Sequence, residues 1–118
     1  MKLSSQKSIS YIVLPTDFQQ PARRAFNYAL KLASVYGARL EIVHVIKTIS
    51  ESSQTSPDSR HLNRLKTSAL LELGRMTSVA KDAGIQAKSR LLYGIPDDCI
   101  LESAAGCHAG LIVMGTHG

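Results

Sequence analysis

Short apolar runs alternate along the chain with longer segments whose apolar residues recur every three or four positions. Residues 9–15, "ISYIVLP", are rich in β-branched side chains and closed by Pro15, which predicts a buried strand. From 21 to 36, Ala22, Ala25, Phe26, Ala29, Ala33 and Tyr36 fall at helical spacing, with Pro21 suited to the first turn and Gly37 to the stop. "ARLEIVHVI" (38–46) is nearly continuous in apolar residues after Glu41 and predicts a second strand covered on both faces. The polar, serine-rich stretch 47–60 reads as a connection. Between His61 and Ala83, the residues Leu62, Leu65, Ala69, Leu73, Met76, Ala80 and Ala83 form an apolar stripe that Gly84 ends, a core-packing pattern rather than a cofactor box.

"IQAKSRLLYG" (85–94) alternates more openly and predicts a third strand near an edge. Pro96 then opens a short helix, where Asp97 and Asp98 complement the dipole. Adjacent helix positions diverge by ~100°, so this pair is read as dipole partners rather than an acid and a base. "LIVM" (111–114) is the fourth strand.

Strand–helix alternation of this kind favours an α/β fold, a doubly wound parallel sheet with right-handed crossovers. The doubly wound default, order 3-2-1-4 over strands 9–16, 38–46, 85–93 and 110–114, makes the first and fourth strands neighbours. Ligands of such sheets sit beyond the carboxyl ends of the strands where the winding reverses. "PTD" (15–17) and "GTHG" (115–118) then face one crevice.

Length and composition narrow the function classes. With 118 residues, 44% of them hydrophobic and 19% charged, the chain reads as one ordinary globular domain spanning 1–118. Its apolar runs are too short to cross a bilayer, and "MKLSSQKSIS" lacks the apolar core of a signal peptide, so a cytoplasmic protein without a membrane partner is expected. Cys99 and Cys107, eight apart on a helical segment, are too distant for a disulfide and are read as reduced thiols; Cys107 and His108 are two adjacent ligands, which do not make a site, so no metal is expected. A net charge of +5 suits a polyanion weakly: the 14 basic residues are scattered and no aromatic interleaves with them, so no specific nucleic acid is expected.

Three polar features could carry function. Asp17, two residues past the first strand, is either an acceptor for a nucleobase or ribose or a cap for the following helix. Gly115 and Gly118, three apart after a parallel strand, could aim backbone N–H groups at a phosphate, with His117 adding a donor. His44, within "IVHV", reads as a core histidine with one hydrogen bond. There is no GxSxG, HExxH or GxxxxGK[ST], and hence no motif for hydrolysis or kinase-like transfer.

"YIVLPTDF", "LEIVHVI", "YGIP" and "LIVMGTHG", in that order from about Ser10 to Gly118, resemble the universal stress protein family. The resemblance implies a Rossmann-like fold of the adenine nucleotide alpha hydrolase type, with five parallel strands and dimeric assembly. It also implies, for one branch of the family, ATP binding, with or without magnesium. That branch's phosphate motif begins glycine, two residues, glycine, matched by Gly115, Thr116, His117 and Gly118. Carried over, Asp17 contacts the adenine side, Val45 lies beside the base through its backbone, and Pro15, Thr16 and Met114 line the pocket. Gly110 departs from the family's usual aspartate, and Gln19 from a serine that would cap the first helix.

The motif's second half, the last helix and the fifth strand are not in the sequence, which leaves the fourth strand at a sheet edge and an expectation of homodimerisation or other self-association. The expected function is an ATP-binding, stress-responsive regulatory module with no catalytic residues assigned. The alternatives are a nucleotide-free interaction or dimerisation module of the same family, and a slow ATP hydrolase.

Overall fold

Seven elements follow in strict strand–helix alternation: β1 (Tyr11–Pro15), α1 (Gln20–Tyr36), β2 (Arg39–Lys47), α2 (Ser59–Asp82), β3 (Ala87–Gly94), α3 (Pro96–Gly106) and β4 (Leu111–Ile112). The structure is a computed structural model and describes residues 9–48 and 59–115. All pairings are parallel, in the order β3-β2-β1-β4, which is the predicted topology. The winding direction reverses between β1 and β4: β2 and β3 are laid down on one side of β1, and the crossover through α3 returns to the other.

Burial explains the two faces. Ile12, Leu14, Leu40 and Ile42 point to one side, where they meet Ala25, Phe26, Ala29 and Ala33 of α1 and Leu73 and Ala80 of α2. Each large aliphatic side chain removed from water there contributes ~1.5–3 kcal/mol. Alanines dominate the buried face of α1 because a small side chain lets the helix lie close on the sheet. On the opposite face, Ile100 and Ser103 of α3 cover buried Val43 and Glu41.

The elements differ from the sequence expectation in length rather than kind. β3 begins at Ala87 instead of 85, because Ile85 closes the end of α2 through a bond from its N–H to the Ala80 carbonyl. β4 is shorter than 110–114: only Leu111 and Ile112 register against Ile12 and Val13, although the N–H of Val113 still donates to the Val13 oxygen. The apolar stripe of α2 is core only in part. Leu65 is 40% exposed, since the first turns of the helix lie outside the buried cluster.

Folding also gathers what the sequence scatters. The helices α1 and α2 lie on the same face of the sheet and together hold eight of the cationic residues against the two carboxylates Glu72 and Asp82. In contrast, α3 holds three carboxylates, Asp97, Asp98 and Glu102, and no cation.

Candidate functional site

A cleft of about 210 Å³ opens at the carboxyl ends of the strands, at the reversal point between β1 and β4. Pro15, Thr16 and Asp17 form one wall as the chain leaves β1, and Val43, His44 and Val45 form the floor from β2. The N-terminal turns of two helices complete it, α1 with Pro21 and Ala22 and α3 with Pro96, Asp97 and Ile100, while Met114 and Gly115 arrive from β4. "PTD" and the start of "GTHG" therefore share one crevice, as the topology predicted.

The cleft exists because β1 stops while β2 continues. Pro15 pairs with Val43, and the Thr16 N–H donates to the Val43 oxygen at 2.8 Å, the last rung of that ladder. Strand alternation turns the amide and carbonyl of Val45 to the same side as those of Val43, where β1 has already ended. Those backbone groups of Val45 therefore border the cleft.

A compact hydrogen-bonded turn then carries the chain into α1. The Thr16 hydroxyl oxygen accepts from the Phe18 N–H at 3.0 Å, and Asp17 Oδ1 accepts from the Gln19 N–H at 2.9 Å. Asp17 thus fastens the residue that precedes the helix. Gln19, the N-cap itself, makes no side-chain capping bond, consistent with the missing serine. Phe18 takes a positive φ of 66°, uncommon for a bulky residue, and its ring packs against His44 at a centroid distance of 4.4 Å.

His44 requires a correction. It is half-buried on the cleft floor rather than a core residue, with Nδ1 2.7 Å from the Thr16 carbonyl oxygen. Its place follows from β2 outrunning β1, which leaves the ring covered by the turn instead of by a neighbouring strand.

Gly115 is sterically required. A β-carbon there would run into the Pro21 carbonyl and lie 2.6 Å from the Ala22 nitrogen. The chain leaving β4 is thereby pressed against the first turn of α1, whose amides lack helical partners and favour negative charge. Met114 is half-exposed at the mouth. His117 and Gly118 lie outside the described residues. None of the described lining residues is a lysine or arginine, and the described residues contain no cluster of potential metal ligands.

Sequence reasoning missed the contribution of α3. Gly94, at φ 144°, turns the chain sharply so that Pro96 and Asp97 reach the cleft wall, and the "YGIP" block was the available signal. It also missed the polar cluster beneath α3. Glu41, only 2% exposed, receives Arg90 Nη1 at 3.3 Å, and the same Arg90 nitrogen lies 3.1 Å from the Ser103 oxygen. Pairing with Arg90 on β3 and Ser103 on α3 satisfies the charge of Glu41 in this apolar strand. Cys107 lies near this carboxylate; burial, and then the charge of Glu41, push its thiol above the ordinary value. Both cysteines are free thiols.

Fold and cleft define the class: an open, doubly wound α/β protein with its crevice at the topological switch point. Within that class the chain belongs to the universal stress protein family, whose model matches residues 9–118. A universal stress protein of Thermus aquaticus is 34% identical over 107 residues, covering 91% of this chain and 77% of that protein. Another, from Methanocaldococcus jannaschii, is 28% identical over 109 residues, and the chain spans 64% of its length. Among solved structures, a universal stress family protein of Burkholderia pseudomallei superposes with a TM-score of 0.83 at 26% identity, over 94% of this chain and 84% of that one. More distant neighbours share the fold. They include a universal stress protein in complex with cAMP (TM-score 0.69, 21% identity, 90% and 72% covered) and an Arabidopsis thaliana family member with AMP bound (0.68, 20%, 92% and 78%).

Proposed function

We propose that the cleft binds an adenine nucleotide, ATP in the finer form of the reading, and that the protein acts as a nucleotide-responsive stress module. The observation that carries this is the enforced contact between Gly115 and the Pro21–Ala22 turn. A β-carbon would fill the space through which the backbone after β4 meets the amino end of α1, and those amides suit a phosphate. The base would lie over the floor, with Val45 presenting backbone groups to it and Asp17 at its rim. Family members with AMP or cAMP bound support an adenine nucleotide as the ligand class.

The absence of lysine and arginine from the described lining gives the phosphates main-chain donors rather than side-chain cations. It also makes a fast phosphoryl-transfer enzyme the poorer reading, since such sites stabilise developing charge with cations. Self-association, and a cytoplasmic setting, complete the proposal. Among the described residues no helix is long and apolar enough to cross a membrane.

Titration calorimetry with ATP, AMP, cAMP, GTP and inorganic triphosphate tests it. Adenine nucleotides should bind in preference to GTP, and Gly115→Val should abolish binding. Equal binding of ATP, GTP and triphosphate would defeat the adenine assignment, and unchanged affinity in the Gly115→Val protein would remove the cleft from the reading.

A further inference from the structure

The outward side of the α1–α2 layer combines two properties. One is charge: of the eight cations and two carboxylates that the two helices hold in all, Arg24 and Lys31 of α1 and Arg64 of α2 lie on the outward side, and α1 holds no acid at all. The other is exposed apolar surface between those cations. On α1, Arg24, Tyr28, Lys31 and Val35 recur at four-, three- and four-residue steps, on the side turned away from the buried stripe. Val35 is 77% exposed and Tyr28 57%. On α2, Arg64 and Leu71, seven residues apart and the latter 65% exposed, occupy the corresponding side. Because both helices pack on one sheet face through a shared core, their outer sides face the same way.

We infer that this layer is a docking surface for an anionic lipid bilayer, to which the protein binds peripherally. Charge complementarity selects a polyanion, and the apolar side chains select among polyanions. Valine and leucine standing clear of the surface between cations gain free energy on entering the headgroup–acyl boundary, as on interfacial helices. A nucleic acid offers phosphates to the cations but nothing apolar to Val35 or Leu71. Two helices side by side also present a broad face rather than a groove for an extended peptide. The cleft opens at the ends of the strands, so a docked molecule keeps it accessible. No part of this inference depends on the cleft's ligand.

Co-sedimentation with vesicles of phosphatidylcholine, with and without phosphatidylglycerol, tests it. The protein should sediment only with the vesicles that contain phosphatidylglycerol, and added salt should release it. Lys31→Gln and Arg64→Gln should each weaken partitioning about fivefold. Val35→Ser with Leu71→Ser should weaken it further at unchanged charge; these exposed positions leave the core intact, which a thermal melt verifies. Failure to sediment with phosphatidylglycerol vesicles, or equal sedimentation with pure phosphatidylcholine, overturns the inference. So does tighter binding to a mixed-sequence DNA duplex than to the vesicles, or a loss of self-association as the only effect of the serine substitutions.

Discussion

His44 Nδ1 lies 2.7 Å from the main-chain oxygen of Thr16, so the ring nitrogen facing the backbone carries the proton. The contact ties the floor of the cleft to its wall at the point where the β1–β2 ladder ends. In the neutral ring it leaves Nε2 as the acceptor, and Phe18 fixes the ring plane from one side.

Nitrogen-15 NMR should accordingly find neutral His44 in the Nδ1–H form. His44→Phe keeps a ring beside Phe18 but withdraws the donor from Thr16, and should cost about 1 kcal/mol in chemical denaturation. Predominance of the Nε2–H form would show that the Thr16 contact is not a hydrogen bond in solution.

At Gly115, even the smallest added side chain meets main-chain atoms of α1, which cannot rotate away. Gly115→Ala should therefore destabilise the fold by ~1–3 kcal/mol, the range for forced overpacking, measured as a lower midpoint in urea. An unchanged midpoint would mean that β4 and α1 do not meet as described.

Asp17 separates two roles that its position combines. Asparagine can still accept from the Gln19 N–H, so Asp17→Asn should keep the stability of the native turn, while Asp17→Ala should lose about 0.5–1.5 kcal/mol. If the carboxylate also reads adenine, both substitutions should narrow the preference for ATP over GTP in calorimetry. Full preference in both variants would confine Asp17 to the turn.

The buried carboxylate of Glu41 should make Arg90 matter more than an exposed arginine does. Arg90→Ala leaves Glu41 with Ser103 alone and should destabilise by ~1–3 kcal/mol. In a Glu41→Gln background the same substitution should cost much less, because no buried charge is then abandoned. Equal costs in the two backgrounds would count against the pairing.

Cys107 gives the pH dependence a sign. Its thiol is raised by burial first and by Glu41 second, so the native state holds this proton to higher pH than the unfolded chain. The resulting stability is fully present below the ordinary thiol value and is lost as pH climbs through the raised native value. In a Cys99→Ser protein, the pH profile of alkylation at Cys107 should lie above that of a free thiol. Adding Glu41→Gln should move it down. A profile indifferent to Glu41 would deny their electrostatic contact.

Much of the fold was legible because periodicity reports burial directly. The continuous run in β2 and the alanine stripe of α1 could each satisfy only one kind of element, and strict alternation left a parallel sheet as the economical arrangement. Thr16, Asp17 and Gly115 were legible as crevice-lining residues because they follow strand ends, where a doubly wound sheet opens, whereas Val45, inside β2, was named only through the family resemblance. Leu65 shows the limit: it continues a helical stripe in the sequence, yet no strand lies beneath it to bury it.

The sequence by itself determined the element types and the helix stops, since these depend on residues within one or two turns of each other. Only the tertiary structure decided what depends on groups far apart in the chain. Glu41 is tolerable because Arg90 and Ser103, 49 and 62 residues away, come to it. Gly115 is obligatory because Pro21 lies against it, and His44 borders a cleft because β1 ends one residue before Thr16. Scattered cations become one charged layer because α1 and α2 pack on the same face. Local pattern sets what each segment can bury, but the neighbours that satisfy a charge, forbid a β-carbon or concentrate a field are fixed only when the chain is folded.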